Sequence, residues 1–195
     1  ENEKITEDRK KLFKILSKNF NTAGERVWLK RRFKEYKIED KDLSKLKMRM
    51  DIIPVSIALA QAANESGWGT SRFALEGNAL FGQWTWSKKG ISPKNKDKNK
   101  SHKVLQFQVL KASVRAYKNN LNTHNAYKEF REARAKIREN SDVINGLELT
   151  KYLKAYASIG EKYVAILDDI IEKNSLTDFD KSNLLPTKSA TGVAL

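Results

Sequence analysis

Residues 54–69 read PVSIALAQAANESGWG, and this stretch decides the fold because it is the most apolar helix candidate in the chain. Its apolar side chains cover most of the circumference of a helix over 54–66, which predicts that this helix is buried. Pro54 suits the first turn of the helix, and Gly67 is expected to end it. Glu65 is therefore expected at the end of a buried helix.

The segments around this helix favour a mostly α fold. Before it, the apolar repeat predicts two helices within residues 4–37 and a short helix over 42–50 that begins at Asp40 or Asp42. The helices expected later in the chain cover 110–122, 126–139, 147–155 and 160–173.

The pattern changes between these two helical regions. A short helix is expected over 71–76, with Thr70 as its cap and Gly77 at its end. Alternating apolar and polar residues then predict two short strands, which are 83–86 and 104–107. The polar segment between them completes a small β-hairpin lobe, so the predicted fold class is mostly α (α+β).

The composition limits the classes of protein that fit this sequence. The 195 residues are enough for one domain with a substantial core, and 39% hydrophobic and 32% charged residues are typical of a globular chain. No apolar run approaches the length of a membrane span, which is about 20 residues. There is no cysteine, and the two histidines, His102 and His124, are interpreted as structural or surface groups. The sequence therefore indicates no disulfide, no metal site and no cofactor.

The net charge of +14 predicts association with polyanions, a class that includes nucleic acid, anionic membrane surfaces and acidic wall polymers. Specific nucleic-acid binding is not expected, because no groove-reading or single-strand-binding motif is recognisable. Part of this charge lies at 88–103, where seven lysines stand beside one acid, Asp97. This segment is interpreted either as a solvated loop or as an arm that draws the protein to anionic wall polymers.

The chain is expected to divide into three parts. Residues 1–50 would form an N-terminal helical extension packed on a catalytic domain over 51–174, and a polar, loose tail would follow over 175–195. The first residue is Glu1, so a fragment or processed form is expected, with any targeting segment upstream. A monomer is expected.

Glu65 is the candidate for acid chemistry. Burial disfavours a charged carboxylate, the negative end of the helix dipole acts in the same direction, and Trp68 is expected to exclude water. All three effects raise the pKa of the carboxyl group. A carboxylic acid that stays protonated near neutral pH can donate its proton to a departing sugar oxygen. The commoner alternative is a structural carboxylate that accepts a hydrogen bond from a nearby backbone amide.

Spaced motifs run along most of the chain: IALAQAANESGWGTSRFA (57–74), GNALFGQW (77–84), SVRAY (113–117), NLNTHNAY (120–127), Phe130-Arg131, and YAS (156–158) with Gly160 and Tyr163. Together they resemble the glucosaminidase family, glycoside hydrolase family 73, and within it the Bax-type subgroup of bacterial proteins. Such a set is more specific than any single motif. The resemblance implies a lysozyme-like fold and a hydrolase, exported to the periplasm or cell envelope, that cleaves peptidoglycan after N-acetylglucosamine.

The resemblance also implies roles for individual residues. Glu65 matches the family's general acid, and Tyr156 matches a tyrosine that lines the site and supports catalysis. Substrate-binding positions correspond to Trp68, Asn78, Phe81 and Trp84, and the turn that closes the groove also includes Leu80 and Gly82. Structural interpretations stay open: Tyr156 could be a core tyrosine with a satisfied hydroxyl, Asn78 could cap a turn, and the tryptophans could belong to the core.

The sequence departs from the resembled subgroup at the second catalytic group. Glycoside hydrolysis usually requires two carboxyl groups, but Lys103 stands where the subgroup has a glutamate. Asp97 is the one acid between residues 83 and 110, and Glu76 precedes them; both are interpreted as solvated or structural.

Three hypotheses follow for the missing group. The substrate's own 2-acetamido group attacks the anomeric carbon, or Asp97 closes onto the site, or the protein binds wall glycan without cleaving it. We favour the first, in which Tyr156 stabilises the charged intermediate. A lytic transglycosylase is a further alternative, because one glutamate suffices for that reaction too.

Overall fold

The computed structural model describes residues 1–85, 90–92 and 103–184, without the side chains of Trp84 and Thr85. In this part of the chain the fold is mostly helical with one small antiparallel sheet, which confirms the predicted fold class. Its α-helices are α1 (Asn2–Leu16), α2 (Ala23–Glu35), α3 (Leu43–Arg49), α4 (Val55–Ser66), α5 (Arg72–Gly77), α6 (Leu110–Thr123), α7 (Lys128–Asn140) and α8 (Glu161–Lys173). Its strands are β1 (Trp84–Thr85), β2 (Gly90–Ile91) and β3 (Lys103–Leu105), and its 3-10 helices are Asn125–Tyr127, Gly146–Glu148, Thr150–Tyr156 and Leu176–Lys181. None of the described helices is long and apolar enough to cross a membrane.

The first three helices enclose an apolar core of their own. It consists of the buried side chains Leu12, Ile15, Leu29, Phe33, Tyr36, Ile38, Leu46 and Met50. Helix α2 begins at a capping box between Thr22 and Glu25, and Asp42 caps α3, as predicted, by accepting hydrogen bonds from two backbone amides of its first turn. The division between an extension over 1–50 and a catalytic domain stays a prediction.

Helix α4 runs through the second and larger core. Ile57 and Ala60 are both 0% exposed, and the helix packs against α8 and the 3-10 helix Leu176–Lys181. Gly67 ends α4 in the left-handed conformation, at a φ of 56°, as predicted for a residue without a Cβ. The long apolar helix therefore carries Glu65 out of the core at its last turn.

One buried aspartate joins the two cores. The side chain of Asp51 is 3% exposed and lies in the link between α3 and α4. Its carboxylate is 3.1 Å from Nη2 of Arg138 on α7 and 3.4 Å from Nη1 of Arg9 on α1. The wholly buried Arg134 has its Nε 4.0 Å from the same carboxylate, and its guanidinium also donates to backbone carbonyls of the α3–α4 segment. This ionic cluster holds α1, α7 and the α3–α4 link together.

Helix α5 differs from its prediction at both ends. Ser71, not Thr70, caps it: the Ser71 hydroxyl accepts a backbone N–H of the first turn, whereas the Thr70 hydroxyl donates back to the preceding turn. Gly77 is the last helical residue, and Asn78 takes the left-handed conformation at a φ of 50°. Asparagine tolerates this conformation better than most residues. Its side-chain amide donates to the carbonyl of Phe107, 29 residues away in sequence, at 3.0 Å.

Two other predicted segments take different forms. The β lobe has three described strands rather than two, in the order β1-β3-β2, with Val104 of β3 opposite both Trp84 and Ile91. Strand β2 is too short to show the alternation by which a sequence identifies a strand. The helix predicted over 147–155 forms as the two 3-10 helices at 146–148 and 150–156.

The expectation of a loose tail is wrong for residues 176–181. This segment is a 3-10 helix, and Leu176 is buried in the larger core. The carboxylate of Asp180 accepts hydrogen bonds from the Ser56 amide at 2.8 Å, the Ser56 hydroxyl at 2.7 Å and the Gly146 amide at 2.8 Å. Asp180 thus satisfies one backbone donor at the start of α4 and one at the start of the 3-10 helix Gly146–Glu148, a role that a polar composition does not reveal.

Replacing Asp180 with alanine is expected to lower the free energy of unfolding by about 2 kcal/mol, because three hydrogen bonds to one carboxylate are lost and the α4 amide is left unpaired. Urea denaturation measures this change. The exposed Asp178 on the same 3-10 helix is the matched control, and Asp178→Ala should change stability by less than about 0.5 kcal/mol. Equal losses in both variants would contradict the capping role.

Candidate active site

Glu65 lies on the last turn of α4, where the chain leaves the core. Its side chain is half-buried. The three residues after the end of α4, Gly67, Trp68 and Gly69, have positive φ values of 56°, 56° and 79°. The Ser66 hydroxyl holds this turn by accepting the Gly69 amide at 2.7 Å. A tight left-handed turn therefore ends α4 directly after the acid.

A buried hydrogen-bond relay reaches one oxygen of the carboxyl group. The Tyr163 hydroxyl donates to Oε1 of Glu65 at 3.0 Å and itself accepts from Nε2 of Gln61 at 2.9 Å. The Tyr117 hydroxyl donates to Oε1 of Gln61 at 2.8 Å, and Gln61 is 0% exposed. Because the Gln61 amide occupies a lone pair of the Tyr163 oxygen, the Tyr163 proton points to Glu65.

Asn64 adds a second donor to the same oxygen. Its Nδ2 lies 3.3 Å from Oε1 of Glu65. Oε1 therefore accepts two hydrogen bonds, whereas no hydrogen bond to Oε2 is formed by the described residues.

Oε2 of Glu65 lies against the backbone of Gly82. A Cβ at this glycine would come within 2.8 Å of Oε2, and the φ of +58° is a second reason for glycine here. The turn between α5 and β1 thus approaches the acid closely on the side that the relay leaves free. A side chain at position 82 would displace the carboxyl group.

The pKa of the Glu65 carboxyl group is raised above its ordinary value. Burial is the main cause, and the hydrogen bonds from Tyr163 and Asn64 oppose it without cancelling it. This confirms the direction expected from the sequence. The Trp68 ring is 64% exposed, so tyrosines rather than this tryptophan enclose the carboxyl group.

Tyr156 belongs to a cluster of tyrosines beside the acid. Its ring stacks on that of Tyr163, with centroids 5.7 Å apart, and lies 6.2 Å from that of Tyr127. Its hydroxyl donates to the carbonyl of Phe81 at 2.8 Å. Burial raises the pKa of Tyr127 to about 12 and that of Tyr156 well above its ordinary value, so both stay neutral over the usual pH range.

The other residues expected at the site lie in different surroundings from one another. The Phe81 ring is 3% exposed and stacks on Tyr117 at 3.9 Å, so this turn faces the site through its backbone rather than through the ring. Asn78 uses its amide to fasten the turn to Phe107. Trp68 is exposed beside the acid, and Trp84 lies in β1, although its side chain is outside the described residues. Their part in substrate binding stays a prediction.

No second carboxylate appears among the groups that shift the pKa of Glu65 within the described residues. Glu76 is exposed on α5, 3.4 Å from Arg72, and Lys103 lies on β3 opposite Thr85. His124 accepts the Ala126 amide, a structural role. Three residues weighed from the sequence, Trp86, Asp97 and His102, lie outside the described residues.

The sequence reasoning missed the relay of Gln61, Tyr117 and Tyr163 as part of the site. Gln61 gave an indication, because a polar side chain one turn before Glu65 on a buried helix requires hydrogen-bond partners. In the described part of the chain, no group of three His, Cys, Asp or Glu residues could hold a metal ion. What the geometry offers is one half-buried acid with one oxygen that accepts two hydrogen bonds and a second oxygen that accepts none from the described residues.

Comparisons with known proteins found a family and a relative that match this chain. The Glucosaminidase family, described as mannosyl-glycoprotein endo-beta-N-acetylglucosaminidase, matches residues 40–176. "Protein bax" of Escherichia coli (strain K12) is 36% identical over 158 residues, which cover 76% of this chain and 56% of that protein. This chain therefore spans little more than half the length of that relative. No solved structure matches this chain.

Proposed function

The chain belongs to the glucosaminidase family, and from this premise we propose that it hydrolyses the glycosidic bond after N-acetylglucosamine in bacterial peptidoglycan. The observation that carries the proposal is the position of the half-buried Glu65 at the end of α4, where one oxygen accepts from Tyr163 and Asn64 and burial raises the pKa of the carboxyl group. A carboxylic acid with a raised pKa can donate its proton to the leaving sugar oxygen.

The hydrogen bonds support a specific position for that proton. Oε1 of Glu65 accepts from Tyr163 and Asn64, so it is the oxygen that carries the C=O character of the neutral acid. The transferable proton is then on Oε2, beside Gly82, where the glycosidic oxygen is expected to bind. The relay through Gln61 and Tyr163 keeps the carboxyl group in this orientation.

Substrate assistance supplies the second group. The 2-acetamido oxygen attacks the anomeric carbon as the bond to the leaving oxygen breaks, and that oxygen takes the Glu65 proton. The Glu65 carboxylate then accepts a proton from water as water opens the cyclic cation, which restores the acid and releases a reducing sugar. Tyr156, whose proton is held by the Phe81 carbonyl, can stabilise the cation through its oxygen lone pairs.

Peptidoglycan is preferred over a mannosyl-glycoprotein as substrate. The family description names the latter, but both contain a β-linked N-acetylglucosamine that carries the assisting acetamido group. A chain with a net charge of +14 suits the acidic bacterial wall. The place of action that follows is the periplasm or cell envelope.

Mass spectrometry of products from purified peptidoglycan tests the proposal, with Glu65→Gln as the inactive control. We expect fragments that end in reducing N-acetylglucosamine. Ends in anhydro-muramic acid would instead indicate a lytic transglycosylase. Retention on the wall without any fragments would indicate a glycan-binding protein, and digestion of a mannosyl-glycoprotein alone would overturn the choice of substrate.

Replacing Tyr163 with phenylalanine is expected to move the alkaline limb of the pH profile to higher pH. Its hydroxyl donates to the Glu65 carboxylate and so opposes the effect of burial; without it the pKa of Glu65 rises further. Because the reaction requires the protonated acid, activity should persist to higher pH. The measurement is the initial rate of reducing-end release against pH.

Tyr152→Phe is the matched control for this test, since Tyr152 packs against the same core but forms no part of the relay. Its pH profile should equal that of the unmodified chain. An alkaline limb that moves to lower pH in Tyr163→Phe would show that the hydroxyl does not stabilise the carboxylate.

A further inference from the structure

The α1–α2 hairpin carries a large share of the positive charge. Between residues 2 and 35 there are eleven lysines and arginines and five acids, an excess of six in a chain whose net charge is +14. The matched family region begins at residue 40, so this charge lies outside it.

Both glutamates of α2 are paired with neighbouring cations. Glu25 bonds Lys18 at 2.5 Å, and Glu35 lies 2.8 Å from Arg32 and 3.8 Å from Lys118. The exposed side of α2 therefore presents four cations, Arg26, Lys30, Arg31 and Lys34, while both acids of this helix are already paired.

The end of the hairpin is apolar as well as basic. Phe20, in the link between α1 and α2, is 89% exposed. Leu16 and Val27, on the two sides of the link, are 39% and 50% exposed. Exposed aromatic and aliphatic side chains beside lysines form the pattern by which proteins bind the interface of an anionic membrane.

We propose that this hairpin end docks onto an anionic lipid bilayer, with Phe20 inserted among the acyl chains and the α2 cations on the headgroups. A bilayer is favoured over a soluble polyanion because a phenyl ring gains nothing from a hydrated polymer, whereas in lipid it leaves water. The Asp51 cluster fastens α1 to α7, so docking would hold the catalytic core at the membrane surface.

Sedimentation of the whole chain with phosphatidylcholine vesicles, with and without phosphatidylglycerol, tests the proposal. We expect binding to the anionic vesicles only. Replacing Lys30, Arg31 and Lys34 with alanine should lower the partition coefficient by about 100-fold, because each cation near an anionic surface contributes roughly a factor of five. Phe20→Ser should lower it by about tenfold.

The charge-matched control replaces Lys136, Lys151 and Lys162 with alanine, three exposed lysines on α7, the 3-10 helix Thr150–Tyr156 and α8. It should change the partition coefficient by less than about threefold, since these lysines lie outside α1 and α2. A loss as large as that of the α2 variant would overturn the assignment to the hairpin. If Phe20→Ser binds the vesicles as well as the unmodified chain, and if soluble polyphosphate displaces the chain from them, the insertion of Phe20 is overturned. A soluble polyanion would then be the favoured partner. No binding to anionic vesicles would overturn the proposal outright.

Discussion

Glu65→Gln is expected to lower the rate of glycan cleavage by about 1,000-fold, which is the usual contribution of a general acid. Glutamine has nearly the shape of glutamic acid and its carbonyl oxygen can still accept the hydrogen bond from Tyr163. It has no acidic proton for the leaving oxygen, however. The variant should therefore keep the fold and the affinity for wall glycan while it loses turnover.

Release of reducing ends from purified peptidoglycan measures the rate, and co-sedimentation with the same wall measures binding. Glu76→Gln is the matched control, because Glu76 is an exposed glutamate on α5, near the site in sequence but outside the relay. It should retain the full rate. A rate above about a tenth of normal in Glu65→Gln would mean that another group supplies the proton, and loss of binding together with turnover would point to damage of the groove.

The helices were largely predictable because their apolar repeats are local. The bounds of α4 and its end at Gly67 follow from side chains within one segment. The 3-10 helices at 146–156 were predicted as one α-helix, since an apolar period does not distinguish them when a segment is this short. The packed tail was missed because Asp180 acts on Ser56, 124 residues away in sequence.

The site could be predicted only in part for the same reason. The position of Glu65 at the end of a buried helix indicated an acid with a raised pKa. Its main partner, Tyr163, lies 98 residues further along the chain, and no local pattern relates the two. The motifs placed Phe81 and Tyr156 near the site, but the direction of the Tyr156 hydroxyl and the burial of the Phe81 ring depend on tertiary packing.

Asp51→Asn is expected to lower the free energy of unfolding by about 3–5 kcal/mol, the typical cost when one partner of a buried ionic cluster loses its charge. The amide keeps the size of the carboxylate but leaves the buried cation of Arg134 uncompensated. Arg9 and Arg138 lose the anion that draws α1 and α7 together. Urea denaturation at pH 7 measures the loss.

The pH dependence gives this prediction a second measurement. Burial alone would raise the pKa of Asp51, but Arg134, Arg9 and Arg138 outweigh it and hold the pKa below its ordinary value. Such a group stabilises the fold above its unfolded pKa of about 3.9, and that contribution is lost as the pH falls through the folded value. The difference between the unmodified chain and Asp51→Asn should therefore be complete at pH 7 and shrink below about pH 4.

Asp169→Asn serves as the control for the Asp51 variant, because Asp169 is exposed and, among the described residues, forms an ion pair only with Lys173 on the same helix. Its stability should change by less than about 0.5 kcal/mol. Arg138→Gln combined with Asp51→Asn should cost less than the sum of the single changes, since both remove the same contact. Additive losses, or a pH-independent difference between Asp51→Asn and the unmodified chain, would mean that packing rather than charge joins the two cores.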